Sequence, residues 1–472
     1  MQVTSQQFKQ AAVRKLADPN LQKALSGMKG RLATARARAV LELDNFEQIR
    51  SEAAQIRDHG LAHMDLYLEQ WEQNATAAGT IVHWAESHEQ VNRVVLEIAK
   101  KNAVRKIIKS KSMLGEETGL NDYLARGGVD VRETDLGEYI IQQAGDYPSH
   151  IIAPAVHKSK DEIADLFAEK HKRPRLNDIT ALTHEAREIL RPHFLDADMG
   201  ITGANFLIAE TGSTLIVTNE GNGRMTTTMP RVHVAVAGIE KILPTLQDLS
   251  QILRLLARSA TGQSVSNYLS VTTGPKRAGD KDGPEEFHVV VVDIGRSRVL
   301  GSELREALRC IRCGACMNHC PVYQNIGGHA YGWVYPGPIG SVLTPAYVGI
   351  ENAIDLPNAA TMCNQCGVVC PVKIPLPDLM RKLREKQVEK KLRPAGERLG
   401  LRIWAWAALH PRVYSLLTRI AARAGRLMGG RERLLHRLPP GGSGWTSGRD
   451  LPAPRGRTFR EIYAARRRRT TR

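Results

Sequence analysis

Two runs of cysteine constrain this 472-residue chain more than any other feature of its sequence. The first run has the spacing C-x2-C-x2-C-x3-C-P and the second has C-x2-C-x3-C-P. The first spacing is the bacterial pattern for iron–sulfur ligation, in which three close thiolates hold one cluster and the cysteine before the proline ligates another. All seven cysteines of the chain lie in these runs: Cys310, Cys313, Cys316 and Cys320 in the first, and Cys363, Cys366 and Cys370 in the second.

This cross-ligation divides the cysteines into two unequal sets. One predicted cluster has four thiolates and the other has three, because Ala360 occupies the position where the second run needs another cysteine. The second centre is therefore predicted to be a [3Fe–4S] cluster, or a [4Fe–4S] cluster with an open site, a non-cysteine ligand or a thiolate from a partner. The predicted ligands are Cys310, Cys313, Cys316 and Cys370 for the first cluster, and Cys320, Cys363 and Cys366 for the second.

Two other uses of closely spaced cysteines fit less well. A structural zinc site needs two C-x2-C pairs and no third cysteine at the same interval. A disulfide framework belongs to small secreted proteins, and residues 1–10 lack the apolar stretch of a secretory signal peptide. No apolar run approaches the roughly 18 residues that a membrane-spanning helix needs. The sequence therefore predicts a cytoplasmic protein, in which thiols stay reduced.

The positive charge of the chain is concentrated near its C-terminal end. Residues 381–472 contain 25 Lys and Arg against 6 Asp and Glu, whereas the rest of the chain has 41 basic and 43 acidic residues. Residues 396–428 place apolar side chains, including Trp404 and Trp406, among arginines at roughly helical spacing. Such a segment fits an anionic membrane surface or docking against the cysteine-bearing module or a partner. The arginines at 466–469 have no stacking aromatics beside them, so nucleic acid is not a predicted partner.

Residues 76–296 alternate between strand-like and helix-like segments. Residues 87–101 show a helical pattern, with Ser87 as the predicted N-cap. Strands that alternate with helices predict βαβ units and a mainly parallel sheet. The predicted strands are 80–85, 104–110, 129–132, 150–153, 215–218, 232–237 and 288–292.

The segments 200–214 and 219–224 are rich in glycine beside Thr, Ser and Asn. Such a backbone can approach an anionic ligand closely, but neither segment matches the dinucleotide-binding or P-loop pattern. Tight turns that join strands explain the same composition equally well. Glu210 and Glu220 are the carboxylates available to such a pocket, and no base–nucleophile pair accompanies them. The sequence therefore predicts no catalytic residue.

These features predict four regions. Residues 1–75 form a helical arm that packs on the next domain, and residues 76–296 form the α/β domain. Residues 297–392 carry the cysteines, and residues 393–472 form a basic amphipathic C-terminal region or tail. The 42 residues between the two cysteine runs favour a mainly α-helical ferredoxin-type module over a minimal βαβ ferredoxin.

The α/β domain, the double cysteine motif and the basic tail together resemble the lactate-utilisation iron–sulfur protein family (LutB type). Residues 203–205, 210–213 and 444–457 and the two cysteine runs carry the resemblance, which covers essentially the whole chain. It implies an α/β domain of the LUD type, related to the NagB/RpiA/CoA-transferase-like fold. It implies two [4Fe–4S] clusters on the seven cysteines. It also implies a three-protein system that oxidises L-lactate to pyruvate, with this subunit carrying electrons.

The predicted function is electron transfer, because no flavin or nicotinamide fingerprint is visible. We expect the chain to accept lactate-derived electrons from other lactate-utilisation subunits and to pass them towards the respiratory chain. The basic region would then make peripheral contact with the inner face of the membrane. Two alternatives stay open. One is an enzyme whose α/β domain acts on an acyl or phosphorylated ligand beside structural or regulatory clusters, and the other is a scaffold whose clusters only hold the module together.

Overall fold

The chain divides into two units, Met1–Gln387 and Val388–Arg472, and the first unit begins with five α-helices. The structure is a computed structural model that describes residues 2–439 and 442–470, with Met28, Arg469 and Thr470 described by their backbone alone. Asp18 accepts backbone hydrogen bonds at the start of α2, where Pro19 is the first helical residue. The five helices are α1 (Phe8–Leu16), α2 (Pro19–Met28), α3 (Arg31–Leu41), α4 (Phe46–Ala62) and α5 (Met64–Ala77).

Ten strands follow in the same unit, and six of them form one parallel sheet. The ten are β1 (Ile81–Ala85), β2 (Lys106–Lys109), β3 (Asp130–Glu133), β4 (Met199–Gly203), β5 (Phe206–Ile208), β6 (Ser213–Thr218), β7 (Val232–Gly238), β8 (Ile242–Leu243), β9 (Tyr268–Thr272) and β10 (Glu286–Val292). The parallel sheet has the order β1-β10-β7-β4-β2-β3. Every residue of β7 is buried, as expected for a strand covered on both faces. The predicted parallel α/β sheet is confirmed.

Eight α-helices lie between the strands of this unit, and a ninth follows β10. The predicted helix after β1 is present, and the Ser87 hydroxyl accepts a hydrogen bond from the N–H of Gln90 as its N-cap. The nine helices are α6 (His88–Lys101), α7 (Met113–Thr118), α8 (Leu120–Arg126), α9 (Leu136–Ala144), α10 (Lys160–His171), α11 (Ile179–Leu195), α12 (Asn222–Thr228), α13 (Leu246–Ala260) and α14 (Arg296–Leu300).

A second, four-stranded sheet in the order β8-β5-β6-β9 departs from the sequence prediction. The predicted strand at 215–218 lies in this sheet, where β6 pairs antiparallel with β5 and β9. The glycine-rich segment 200–214 contains most of β4, all of β5 and the start of β6. In the turn between β5 and β6, Gly212 has a φ of +66°.

The strand predicted at 150–153 is wrong. Those residues form a loop in which the Nδ1 atom of His150 accepts hydrogen bonds from the N–H groups of Ile152 and Ala153. These two donors are therefore not available to a neighbouring strand. The local side-chain to backbone bonds replace a sheet ladder here.

The cysteine-bearing part of the first unit is built from short helices. A 3-10 helix, Arg305–Arg309, precedes the first cysteine run, and Cys310 follows its last residue. Two of the helices that follow, one from each cysteine run, pack against each other. The helices are α15 (Ala315–Asn318), α16 (Tyr323–Ile326), α17 (Gly337–Val348), α18 (Gln365–Val369) and α19 (Leu376–Glu389), of which α15 and α18 form that pair.

The second unit is mainly helical. Helices α20 (Ala395–Leu409) and α21 (Pro411–Met428) pack against each other. Two short strands, β11 (Leu434–Leu435) and β12 (Leu451–Pro452), pair antiparallel, and α22 (Phe459–Thr470) follows. Among the residues that the structure describes, no helix is long and apolar enough to cross a membrane.

Candidate iron–sulfur centres and an adjoining cavity

Four of the seven thiols converge in a first group, which consists of Cys310, Cys313, Cys316 and Cys370. Burial and then the negative charges of the other three thiols raise the pKa of Cys316. Burial and the charges of Cys370 and Cys310 raise the pKa of Cys313 in the same way. Cys316 lies in α15, whereas Cys370 follows the end of α18, so the two cysteine runs meet here. The structure thus gathers the four residues predicted to hold the first cluster, and their ligation stays a prediction.

The other three thiols form a second group, which consists of Cys320, Cys363 and Cys366. Besides burial, the negative charges of Cys320 and Cys363 raise the pKa of the Cys366 thiol. All three line one small cavity of about 20 Å³. Ala360, where the second run has no cysteine, lines the same cavity. The residue that departs from the motif therefore lies at the wall of the second group.

Burial raises the pKa of thiols in both groups. It raises the pKa of Cys370 to about 11 and, with Cys320 as a second cause, the pKa of Cys366 to about 12. Cys363 differs because it is exposed, and hydrogen bonds from Thr361 and from the N–H of Gln365 lower its pKa. A lone thiolate is costly to bury. A metal centre that binds several thiolates at once removes that cost, so the groups fit such a centre.

Backbone N–H groups point at the sulfur atoms. The N–H of Arg312 lies 3.4 Å from Cys310 Sγ, and the N–H of Ile374 lies 3.3 Å from Cys370 Sγ. Arg312 has a φ of +61°, a left-handed conformation that turns the chain back around the sulfur. Hydrogen bonds to sulfur are one of the features by which proteins set the potential of iron–sulfur clusters. All seven cysteines are free of disulfides, so the residues present fit the predicted cofactor.

The N-terminal helices supply cations to the first group. Arg50 in α4 donates from Nε to the backbone oxygen of Cys370 at 2.6 Å and from Nη2 to that of Gly367 at 3.0 Å. Arg36 in α3 donates from Nη2 to the backbone oxygen of Val369 at 3.1 Å. The two guanidinium groups thereby bind backbone oxygens at the C-terminal end of α18, next to the last cysteine of the second run. The sequence did not predict these contacts, because they join residues more than 300 positions apart and no local pattern marks them.

Three further cations lie beside Cys310. Arg57, fully buried, donates from Nη2 to the backbone oxygen of Leu308 at 3.0 Å. Lys241 lies 3.4 Å from the backbone oxygen of Cys310. Arg312, between two cysteines of the first run, interacts electrostatically with the Cys310 thiol. Positive charges in this position balance the negative charge that four thiolates bring to a cluster.

A cavity of about 330 Å³ lies beside the first group, at the carboxyl ends of the parallel strands. Open α/β sheets bind ligands at this end of the strands. Loops after four strands contribute to its wall, and Arg312, Cys313 and Tyr335 of the cysteine-bearing part complete it. The residues that line it at the strand ends include Ser110–Ser112 after β2, Asp135 after β3, Gly203 at the end of β4 with Ala204 and Asn205 after it, and Glu240 and Lys241 after β7.

The glycine-rich segments contribute to this cavity only in part. Glu220 lines the cavity while remaining exposed. Glu210 does not line it, because its carboxylate accepts a hydrogen bond from the N–H of Leu246 at the start of α13. The residues around Gly203 and Glu220 therefore belong to the wall of this cavity. Glu210 instead accepts a backbone hydrogen bond at the start of α13.

Glu240 is a buried anion in the wall of this cavity. Its carboxylate contacts Arg296 Nε at 2.9 Å and Arg312 Nη2 at 3.5 Å. Burial opposes ionisation, but Arg296, Lys241 and Arg312 together hold the pKa of Glu240 at about 2. Burial, followed by repulsion from Arg312, lowers the pKa of Lys241 to about 7. Arg296 and Arg312 therefore keep the Glu240 carboxylate ionised at this wall of the cavity.

Family models match three successive parts of the chain. A LUD domain matches residues 68–292, a 4Fe-4S dicluster domain matches residues 306–374, and the C-terminal domain of lactate utilisation protein B matches residues 380–468. The crystal structure of a duf162 family protein from Deinococcus radiodurans aligns with 48% of this chain and 98% of its own. Its 16% identity and TM-score of 0.26 are too low to bear on the fold.

Three curated relatives match the chain over nearly its full length. Lactate utilization protein B of Shouchella clausii is 43% identical over 99% of this chain and 98% of its own. The protein of that name from Bacillus subtilis is 42% identical over the same shares. The uncharacterized electron transport protein YkgF of Escherichia coli is 43% identical over 97% of this chain and 96% of its own. The chain is an iron–sulfur protein of lactate utilisation, and it belongs to the lactate utilisation protein B family.

Proposed function

We propose that this chain is the electron-transfer subunit of a system that oxidises L-lactate to pyruvate. It accepts lactate-derived electrons from other lactate-utilisation subunits and passes them towards the respiratory chain. The observation that carries the proposal is the convergence of seven free cysteines into a group of four and a group of three. Iron–sulfur clusters relay single electrons, at potentials set by charge, hydrogen bonds to sulfur and exposure.

The two thiol groups are proposed to hold one cluster each. Cys310, Cys313, Cys316 and Cys370 provide a complete ligand set for a [4Fe–4S] cluster. Cys320, Cys363 and Cys366 hold either a [3Fe–4S] cluster or a [4Fe–4S] cluster whose fourth ligand is not a cysteine of this chain. The exposed Cys363 makes the second group the one that a redox partner can approach.

The proposal includes the setting in which the chain works. The α/β domain is proposed to be of the NagB/RpiA/CoA-transferase-like type, and the protein is proposed to be cytoplasmic. Its basic C-terminal region would contact the inner face of the membrane, close to the respiratory acceptor. Exposed apolar side chains of α20 and α21, such as Trp404, Trp406 and Leu416, lie among arginines and support this contact.

A reconstitution experiment tests the electron-transfer role. The anaerobically purified chain, with its clusters, is mixed with L-lactate in the presence or absence of the other lactate-utilisation subunits, and cluster reduction is followed by visible absorbance. We expect reduction only when the other subunits are present. Clusters that stay oxidised in the complete mixture, although dithionite reduces them, contradict the proposal.

The cavity of about 330 Å³ favours one second function, an enzyme acting on an acyl or phosphorylated ligand in the α/β domain. In that case the clusters are structural or regulatory. Turnover of such a ligand by the full chain, at a rate independent of the redox state of the clusters, would support this function over electron transfer.

A further inference from the structure

A second cavity, with a volume of about 310 Å³, lies beside the edge strand β3. Its size is in the range of sites that enclose a small ligand. Helices α7, α8 and α9 and the loop that follows α9 form the rest of its wall. It shares no lining residue with the cavity of about 330 Å³, and no residue of either cysteine run contributes to it. The predicted clusters therefore do not account for its lining.

The charged residues that line this cavity are all acidic. Six carboxylates contribute to the wall, and no lysine, arginine or histidine is among its described lining residues. The wall also has apolar parts, formed by side chains such as Leu120, Val129 and Ile141. A cleft lined by one sign of charge attracts ions of the opposite sign, here cations. The six acidic residues are Glu116, Asp122, Asp130, Glu133, Glu138 and Asp146.

Three acceptor atoms in this wall have no hydrogen-bond partner among the residues that the structure describes. They are Asn121 Oδ1, Glu133 Oε2 and Glu138 Oε1. The side chains of Glu133 and Glu138 are each only 3% exposed. Asn121 donates from Nδ2 to Glu133 Oε1 at 2.6 Å, and this bond fixes which end of its amide is the acceptor. Buried acceptors without a donor are costly, so these atoms point to a ligand that donates hydrogen bonds.

The two lysines beside these carboxylates do not meet that need. Lys109 Nζ contacts the other oxygen of Glu133, Oε1, at 2.6 Å. Lys111 Nζ lies 3.3 Å from Glu138 Oε1 without forming a hydrogen bond. Despite both lysines, burial raises the pKa of Glu133 and raises that of Glu138 to about 8. A further cation inside the cavity would offset this effect of burial.

A primary ammonium group matches the three acceptors. It carries one positive charge and three N–H donors, one for each acceptor. The carboxylates of Asp122 and Asp130 line the same cavity and belong to exposed residues. A second ammonium group on the solvent side would lie among these carboxylates. The aliphatic chain between the two groups would then contact the apolar parts of the wall.

We propose that this cavity binds a small aliphatic diamine. One ammonium group donates hydrogen bonds to Asn121 Oδ1, Glu133 Oε2 and Glu138 Oε1. The other ammonium group interacts with Asp122 and Asp130. A divalent metal ion fits less well, because it would leave the apolar parts of the wall unoccupied. The proposal goes beyond electron transfer and does not depend on the clusters.

Calorimetry on the anaerobic, cluster-loaded full chain tests the site with four probes. The probe 1,4-diaminobutane carries two ammonium groups, 1-aminobutane carries one, 1,4-butanediol carries none, and calcium chloride supplies a divalent metal ion. We expect 1,4-diaminobutane to bind most tightly, 1-aminobutane several-fold more weakly and 1,4-butanediol at least about tenfold more weakly. Failure of 1,4-diaminobutane to bind, or equal affinity for either of the other organic probes, overturns the proposal. Calcium that binds more tightly than the diamine and displaces it also overturns the proposal, because the cavity is then a metal site.

Variants locate the binding. Glu138→Gln should weaken diamine binding at least about tenfold, because a hydrogen bond between two charged groups is lost. Glu89→Gln is the matched control, since Glu89 also lies in the first turn of a helix but is exposed and outside the cavity. Asp122→Asn, at an exposed position, should weaken diamine binding several-fold and leave the affinity for 1-aminobutane unchanged. It decides the question if Glu138→Gln does not fold. Equal diamine affinities in the variants that fold and in the control contradict the proposal.

Electron paramagnetic resonance separates this site from the two thiol groups. Because no cysteine lines the cavity, 1,4-diaminobutane should leave the signals of both clusters unchanged at the concentration that saturates the calorimetric titration. A changed cluster signal at that concentration would mean that the amine binds at a cluster and would contradict the proposal.

Discussion

The Nε atom of Arg50 donates a hydrogen bond to the backbone oxygen of Cys370 at 2.6 Å. Arg50 belongs to an N-terminal helix, and Cys370 is the last cysteine of the chain. This contact connects the N-terminal helices with the residue that completes the first thiol group. The N-terminal helices therefore help to hold the predicted cluster ligands in place.

Replacing Arg50 tests this role. Arg50→Met removes hydrogen bonds to Cys370 and Gly367, and a charged hydrogen bond contributes about 1.5–3 kcal/mol. We expect the first cluster to lose iron to a chelator about tenfold faster than in the unmodified protein, with the second cluster less affected. Arg38→Met, at an exposed position of α3, is the control. Equal loss rates for Arg50→Met and the control would show that Arg50 does not stabilise the cluster.

The two ligand sets predict separable losses. Cys310→Ser should abolish the electron paramagnetic resonance signal of the first cluster and leave the signal of the second, whereas Cys363→Ser should do the reverse. The reason is that each thiol interacts with members of its own group. Loss of both signals in either variant, with circular dichroism unchanged, counts against independent sets.

Ala360 offers a test of the incomplete second group. Ala360→Cys places a fourth thiol at the wall of the cavity that Cys320, Cys363 and Cys366 line. A [3Fe–4S] centre should then become a [4Fe–4S] centre, with loss of the signal of the oxidised protein and gain of a signal on reduction. Ala359→Cys adds a thiol one residue away, outside that cavity, and should leave the spectra unchanged. Identical spectra for both variants and the parent would show that position 360 does not face the cluster.

Arg296 and Glu117 form a buried ion pair, and both side chains are 0% exposed. Arg296→Met leaves Glu117 and Glu240 buried without this partner, so the free energy of unfolding should fall by about 3–5 kcal/mol. Denaturant unfolding of the cluster-free chain measures the change. Arg173→Met breaks the exposed pair with Glu188 and should cost about 0–1 kcal/mol. A loss no larger than this control would show that the buried pair contributes little.

The basic C-terminal region predicts binding to anionic membranes. The full chain should float with vesicles that contain phosphatidylglycerol and not with vesicles of phosphatidylcholine alone, and salt should weaken the binding. Leu416→Asp puts a charge on the exposed apolar face of α21 and should reduce flotation several-fold. Leu41→Asp, at an exposed leucine of α3, is the control. Equal flotation with both lipid compositions would contradict the electrostatic contact.

Features encoded locally could be predicted from the sequence. The valine-rich strands β7 and β10 follow from near-continuous apolar runs, and the α/β class follows from their alternation with helices. The spacing of the cysteines predicted two sets, and the structure gathers the same thiols. In each case the information lies within a few neighbouring residues.

Features formed by residues far apart in the chain could not be predicted in this way. Arg57 donates to backbone oxygens near residues 240 and 308, and no local pattern marks such a buried arginine. Lys241 and Arg312 line one cavity although 70 residues separate them. The apolar pattern at 150–153 predicts a strand. The hydrogen bonds that the His150 ring accepts from the N–H groups of Ile152 and Ala153 make it a loop, and these bonds leave no mark on that pattern.

The most direct test of the account is low-temperature electron paramagnetic resonance of the anaerobically purified chain, combined with analysis of iron, acid-labile sulfide and zinc. We predict signals from two distinct clusters, with seven to eight iron and about eight sulfide per chain. Stoichiometric zinc without iron or sulfide would contradict the central claim that the seven cysteines hold two iron–sulfur clusters.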